Sequence, residues 1–205
     1  RRRLVLDHGR PCAWAPYGDA IESASQRLGA AVAGARQEAA GRLLAEAGET
    51  DAGLQRLTEA QAFDEAAFWI IRCAPRYVAD GRLQALRQHI AALPAAAAER
   101  LAYWRGLCAV DTDPAAALAD MRSAHQACAD DADIDGLLAA AAGASAALVC
   151  SGRVAELDPW IDVLTAHADR ALTARDDDAD MRLVPGLLAA LVYRQPWHAL
   201  AEPLA

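Results

Sequence analysis

The feature that most constrains the fold is the stretch Glu99–Ala129, in which two helical patterns flank a short polar turn. Its inward-facing side chains recur at three- and four-residue spacing, which is typical of one face of an α-helix. They are Leu101, Trp104, Leu107 and Cys108 before the turn, and Leu118, Met121, His125 and Cys128 after it. In the turn, Asp113 predicts an N-cap and Pro114 suits the first helical position. The stretch therefore predicts an antiparallel helical hairpin.

Composition extends this prediction to the rest of the chain. Alanine, the best helix former, supplies about a quarter of the residues. Aromatic residues make up 5% and runs of β-branched residues are nearly absent, which argues against sheets. We therefore expect an all-α protein.

Turn signals place the limits of the predicted helices. Residues 1–18 contain helix-breaking prolines and glycines and predict an irregular lead-in or interdomain linker. Residues 19–192 predict one helical-repeat domain, and residues 193–205 predict a C-terminal tail. Asp19 predicts the N-cap of a long first helix that Gly48 ends, and Asp64 predicts the N-cap of a later one.

The remaining helices each have a predicted inward face. Pro75 predicts a kink or an end in one of them, and Pro185 a kink or a start in another. The predicted inward residues are Leu54 and Leu57; Ala67, Phe68, Ile71 and Ala74; Leu83, Leu86 and Ile90; Val154, Leu157, Trp160, Ile161, Leu164 and Ala168; and Met181, Leu187, Leu188 and Leu191.

The turns repeat along the chain. Gly48, Gly81, the Asp111–Pro114 turn and Gly152 recur at spacings of about 33 to 38 residues, near the period of a tetratricopeptide (TPR) helix pair. Such pairs stack because one pair alone cannot bury its apolar faces. The sequence thus predicts a right-handed superhelix of stacked antiparallel helical hairpins, a TPR-like α-solenoid.

Two segments resemble the superhelical region of MalT-like transcription activators, which are large bacterial signal-transduction ATPases of the STAND type. They are GETDAGLQRLTEAQAFDEAAFWIIRCAPRYVADGRLQALRQHIAALP and YWRGLCAVDTDPAAALADMRSAHQACADDADIDGLL. The resemblance covers roughly residues 35–165, and the family's ATPase loop and DNA-binding helix-turn-helix are not among the residues of this chain. It implies a region that receives an inducer or a protein partner and helps to control oligomerisation. It identifies no functional residue position by position.

The net charge and the cysteine content limit which binding partners and which cellular compartment are expected. The net charge of −8 argues against direct nucleic-acid contact by this segment, and the basic run Arg1–Arg3 predicts only a chain end or interdomain end. The apolar run Leu137–Cys150 is too short to span a bilayer, so no membrane association is expected. Five scattered cysteines without a C-x-x-C pair fit a reducing cytosol, and we expect a cytoplasmic piece of a longer protein. These are Cys12, Cys73, Cys108, Cys128 and Cys150.

One acidic run matches part of a calcium loop. Asp131, Asp133 and Asp135 alternate before Gly136, but Ala142 stands where the bidentate glutamate belongs, so we interpret the run as a capped turn.

A second acidic run alternates in the same way. Asp176, Asp178 and Asp180 lack both the glycine and the glutamate and predict a solvated loop.

Two further motifs each match part of a catalytic or metal-binding pattern, but neither pattern is complete. The sequence around Ser145 resembles a nucleophile-elbow motif, but it lacks the preceding strand and the last glycine of that motif. This favours the interpretation of Ser145 as a small residue where two helices cross. His125 and Cys128 lie three residues apart with no second ligand pair, which favours the edge of the core over zinc. We therefore predict no catalytic residue, no metal and no cofactor.

The largest side chains mark the best candidate for a binding groove. Tyr103, Trp104 and Arg105 combine the aromatic and guanidinium groups that dominate protein interfaces. The predicted function is a non-catalytic module that binds a protein partner or senses a small-molecule effector within a bacterial regulator, with homo-oligomerisation left open. The alternatives are a hydrolase-like helical enzyme domain with an unrecognised cleft, and a pure dimerisation scaffold.

Overall fold

The computed structural model of the chain describes residues 6–7, 10–11, 15–168 and 178–201. Two compact units make up the chain, Arg1–Ala62 and Phe63–Ala205. Apart from one pair of two-residue strands, the regular elements of the described part are helical, as expected from the composition. The basic run Arg1–Arg3, Cys12 and Asp176 lie outside the described residues.

The Arg1–Ala62 unit contains a strand pair and a helical hairpin. Strands β1 (Leu6–Asp7) and β2 (Arg10–Pro11) pair antiparallel within the segment expected to be irregular. Helices α1 (Ala15–Glu46) and α2 (Thr50–Glu59) pack against each other. The prediction of an Asp19 N-cap is wrong, because α1 begins at Ala15. Pro16 then falls in the first turn, where its missing N–H would have had no partner anyway.

The Phe63–Ala205 unit is a succession of helices that pack on their neighbours in sequence. The α3 helix packs on α4, α6 on α7, α7 on α8, and α8 on both α9 and α10. The hairpin predicted within Glu99–Ala129 is confirmed as α6 and α7, with Pro114 as the first residue of α7. The helices are α3 (Phe63–Ala79), α4 (Leu83–Ala91), α5 (Ala95–Glu99), α6 (Ala102–Ala109), α7 (Pro114–Asp130), α8 (Ile134–Cys150), α9 (Asp158–Thr165) and α10 (Asp178–Arg194), with a 3-10 turn at Val154–Glu156.

Helix α8 lies at the centre of this unit. It touches α6, α7, α9 and α10, because its residues are apolar around most of its circumference. Small residues allow the close approach: a Cβ on Gly143 would lie 2.6 Å from the Met121 sulfur, and one on Gly186 would lie 2.6 Å from the Ala142 Cβ. The buried residues of α8 are Leu138, Ala140, Ala141, Ala142, Gly143, Ala144, Ser145, Ala147 and Leu148.

Helix α3 buries only part of the face that the spacing predicted: Ala67 and Ala74 are buried as expected. Phe68 and Ile71 are 45% and 40% exposed, so their assignment to the core is wrong. The buried residues are Ala66, Ala67, Trp69, Ile70, Ala74 and Tyr77. Both stripes of this helix are apolar, and the one that carries the larger Trp69 and Tyr77 side chains is buried.

Four predicted boundaries also differ from those observed. Asp64 lies inside the first turn of α3 and is not its N-cap, because the helix begins one residue earlier. Of the two alternatives at each proline, the end at Pro75 and the start at Pro185 are wrong, because α3 continues to Ala79 and α10 begins at Asp178. Asp178 and Asp180 are therefore helical and not part of a loop. A kink at each proline stays a prediction. Helix α10 also runs to Arg194, two residues into the expected tail.

Within the part of the chain that the structure describes, five helices are followed by a residue in the left-handed conformation. Gly48, Gly81 and Gly152 have φ values of 90°, 68° and 71°, which confirms them as the turn residues that the sequence predicted. Gln61 and Ala132 adopt φ values of 58° and 56° in equivalent places. After each of these residues the next N–H donates back into the last turn of the helix, as Asp133 N does to Cys128 O at 2.9 Å.

Replacement of Ala132 by glycine is expected to raise the free energy of unfolding by about 0.5–1 kcal/mol. The left-handed conformation disfavours a Cβ by about 1–2 kcal/mol, and part of this gain is offset because glycine is freer in the unfolded chain. Ala132 is exposed, so no packing is lost. Urea unfolding should show a higher midpoint at an unchanged slope. Gly152→Ala is the opposite control and should lower the midpoint; equal midpoints for both variants would contradict the explanation.

Candidate functional site

Arg105, one of the three predicted groove residues, forms a clamp between helices. Its Nε donates to Asp120 Oδ2 at 2.9 Å, its Nη2 donates to Asp120 Oδ1, and its Nη1 donates to the Ala98 carbonyl at 3.3 Å. The hydrogen bond to Asp120, whose side chain is only 16% exposed, raises the pKa of Arg105. The guanidinium thus joins α6 to α7 and to the end of α5, a structural role that its sequence position did not reveal.

The two aromatic residues of the predicted groove pack beside this clamp. The Tyr103 and Trp104 rings meet edge to face with centroids 4.9 Å apart. Tyr103 also packs against Ala102, Ala124 and Ala140, so it contributes to the core between α6, α7 and α8. Both side chains are half-buried. Their part in a binding groove stays a prediction.

His125 and Cys128 lie on α7 at the edge of the core. The His125 ring meets the Trp160 ring edge to face with centroids 5.2 Å apart, and its buried Nε2 has no hydrogen-bond partner among the described residues. Burial, followed by the nearby Asp133 and Asp131 charges, raises the pKa of Cys128. Among the described side chains, no three His, Cys, Asp or Glu come together as ligands for a metal ion.

The acidic turn and the buried serine have local structural roles. Asp133 Oδ1 accepts the Gly136 N–H at 3.1 Å, which confirms the run before α8 as a capped turn. The Ser145 hydroxyl is buried in the middle of α8 and donates to the Ala141 carbonyl at 2.9 Å. It therefore lies at a helix crossing and not on the strand-to-helix turn that a nucleophile elbow requires.

Cys108 is expected to resist alkylation in the native protein. Burial raises its pKa to about 11, with a smaller opposing effect of Arg87, so only about one thiol in a thousand is ionised at pH 8. Cys150 is exposed and should react with iodoacetamide at least about 100-fold faster. Mass spectrometry of the modified peptides measures both rates. In 8 M urea the rates should converge, whereas equal rates in the native state would contradict the burial of Cys108.

The outer surface of α3 is the best-defined apolar surface that carries charge. Phe68 and Ile71 are exposed there, and the guanidinium of Arg72 lies 5.5 Å from the Phe68 ring centroid and 5.3 Å from the Trp69 ring centroid. Phe68, Ile71, Arg72 and Pro75 follow one another at helical spacing, so they share one side of the helix. We call the side chains of Asp64, Phe68, Ile71, Arg72 and Pro75 the α3 stripe.

Charge is distributed unequally along the α3 stripe. Asp64 lies at its N-terminal end with a side chain that is 94% exposed, and its Oδ1 accepts a hydrogen bond from Arg100 at 3.1 Å. Arg72 lies towards the other end, and Arg76 flanks it with a 78% exposed side chain. Arg76 Nε lies 3.7 Å from Asp80 Oδ2, so Arg72 is the cation that the C-terminal half of the stripe presents, opposite in sign to Asp64 at its beginning. The sequence pattern did not reveal this surface, because Phe68 and Ile71 follow the spacing of core residues.

A second apolar surface lies at the end of α10. Val192, Tyr193 and Trp197 are exposed there, next to Arg194, which pairs with Asp158 of α9 through bonds of 2.7 and 2.8 Å. This ion pair raises the pKa of Arg194 and lowers that of Asp158. It fixes the end of α10 to α9 and leaves the three apolar side chains uncovered.

Comparison of the chain with models of known families, with curated proteins and with solved structures finds no match. Along the described part of the chain, no helix combines the length and the hydropathy that a bilayer crossing requires.

Proposed function

We propose that the chain is a non-catalytic helical module that binds a protein partner through the α3 stripe. The observation that carries this proposal is the exposure of Phe68 and Ile71 beside Arg72 on a helix whose opposite side is buried. Contiguous exposed apolar side chains mark interaction surfaces, and aromatic and arginine residues dominate binding energies. The Tyr103, Trp104 and Arg105 group is a second proposed contact region.

The proposal that the module is non-catalytic is supported by the contacts and the protonation state of the candidate reactive side chains. The Ser145 hydroxyl bonds to its own helix, and the His125 ring packs on Trp160. A raised pKa keeps the Cys108 thiol protonated near neutral pH, which makes it a poor nucleophile.

We also propose that the hairpins of the Phe63–Ala205 unit form a right-handed, TPR-like superhelix. Packing of each helix on its neighbours in sequence, with α8 reaching both α6 and α10, supports the stacking. The resemblance of residues 35–165 to MalT-like activators supports a place in a bacterial regulator. The same resemblance implies that this region receives a protein partner or a small-molecule effector, and the α3 stripe favours the protein partner.

Selection from a random peptide library against the purified chain tests the binding proposal. Peptides that combine apolar with acidic residues should be enriched, because they match Phe68, Ile71 and Arg72. Their affinity should fall at least tenfold for Phe68→Asp, which places a charge in the apolar contact. Val192→Asp changes an equally exposed apolar residue of α10 and should leave the affinity unchanged. Enrichment that survives Phe68→Asp, or no enrichment, would overturn the proposal.

A further inference from the structure

We infer that the partner of the α3 stripe is the same stripe of a second copy of this chain, in an antiparallel pairing. This inference rests on the proposed binding role of the stripe and names its occupant. Its basis is the order of charged and apolar groups along α3, in which Asp64 precedes Phe68 and Ile71, and Arg72 and Arg76 follow.

With this order of groups, an antiparallel second copy places opposite charges next to each other, whereas a parallel copy places like charges next to each other. Asp64 lies four residues before Phe68 and Arg72 lies four residues after it. A twofold axis through Phe68 therefore sets the Asp64 carboxylate of each copy opposite the Arg72 guanidinium of the other. A parallel pairing sets Asp64 opposite Asp64 and repels.

The groups needed for this pairing are accessible. The Asp64 side chain is 94% exposed and its Oδ2 lies outside the Arg100 hydrogen bond, which uses Oδ1. The Phe68 ring holds the Arg72 guanidinium at the rim of the apolar surface. When the two helices pair, Phe68 of one copy packs on Phe68 of the other at the centre, and the two ion pairs lie at the ends. The same patch serves both copies, as twofold symmetry requires.

The small size of the stripe indicates a weak association. The α3 stripe runs from Asp64 to Pro75 and is therefore about 18 Å long, so at a width of about 10 Å it covers about 180 Å² of each copy. Standard stable interfaces bury about 800 Å² per partner. The pairing is therefore a weak, concentration-dependent dimer.

Sedimentation velocity of the purified chain from about 1 µM to 1 mM tests the inference. The average mass should rise with concentration towards twice that of one chain. Phe68→Asp should weaken self-association at least tenfold, and so should Asp64→Arg and Arg72→Asp, each of which sets like charges opposite each other. Circular dichroism checks that each variant keeps the helix content of the parent. Val192→Asp is the matched control and should associate like the parent.

The two charge reversals provide the decisive measurement when they are mixed. In an Asp64→Arg and Arg72→Asp pair, both ends again join acid to base, so the equimolar mixture should regain the association that each variant lost. A parent that stays monomeric at 1 mM, association that survives Phe68→Asp, or a mixture that stays monomeric would each overturn the inference. If Phe68-dependent peptides are nevertheless selected, the proposed binding function stands and only the occupant is wrong. If neither is observed, both fail.

Discussion

Truncation of Leu148 to alanine should destabilise the Phe63–Ala205 unit by about 2–5 kcal/mol. Leu148 is 0% exposed in the middle of the core around α8, and helices pack on this helix from several sides. Removal of its isobutyl group leaves a cavity that the surrounding helices cannot close without losing other contacts. For a loss of 3 kcal/mol, the melting temperature of a unit of this size should fall by about 10 °C.

Denaturant unfolding followed by tryptophan fluorescence measures this effect mainly in the Phe63–Ala205 unit. Four of the five tryptophans, Trp69, Trp104, Trp160 and Trp197, belong to this unit, and the fifth, Trp14, falls within Arg1–Ala62. Ile134→Ala is the control, because Ile134 is an exposed apolar residue of the same helix and its truncation should change stability by about 0.5 kcal/mol or less. Similar losses for the two variants would show that α8 is not at the centre of the core.

Leucine in place of Gly53 should force α1 and α2 apart. A Cβ at this position would lie 2.8 Å from both the Ala45 nitrogen and the Gly41 oxygen, which are main-chain atoms and cannot rotate away. Gly41 approaches equally closely from the other side, with a Cβ position 3.0 Å from the Gly53 oxygen. We expect a loss of about 3 kcal/mol, at the upper end of overpacking effects.

Amide hydrogen exchange of peptides from α1 and α2 measures this loss locally. About 3 kcal/mol corresponds to a roughly 100-fold faster exchange of the hairpin amides. Gly34→Ala is the control, since a Cβ on Gly34 meets no atom within 4 Å. There alanine should slow exchange, because it favours the helix by up to about 1 kcal/mol. Unchanged exchange in the leucine variant would contradict the close approach of the two helices.

The helical character and most turns could be read from the sequence, because both are local properties. Asp113 accepts the Ala116 N–H as an N-cap should, and Gly81 adopts the positive φ expected of a helix end. Gln61 and Ala132 adopt the same conformation although neither residue is a glycine, so the sequence does not predict it. Their φ values follow from where the next helix packs, which residue identity alone does not encode.

The orientation of α3 could not be read in the same way. Periodicity identifies an apolar stripe, but α3 carries two, and the packing of α4 and α5 decides which is covered. Phe68 and Ile71 therefore looked like core residues. The role of Arg105 was hidden for a related reason, since its partner Asp120 lies 15 residues away on the next helix. Long-range pairing of this kind is a property of the assembled fold.

The central place of α8 has a consequence for how the unit loses its structure. In a strictly linear stack, terminal repeats can melt one by one, because each depends only on its nearest neighbour. Here one helix is shared by α6, α7, α9 and α10, so none of these can detach without uncovering the same alanine-rich surface. The segment from α6 to α10 should therefore melt in a single cooperative step, while α3 and α4 are able to fray ahead of it.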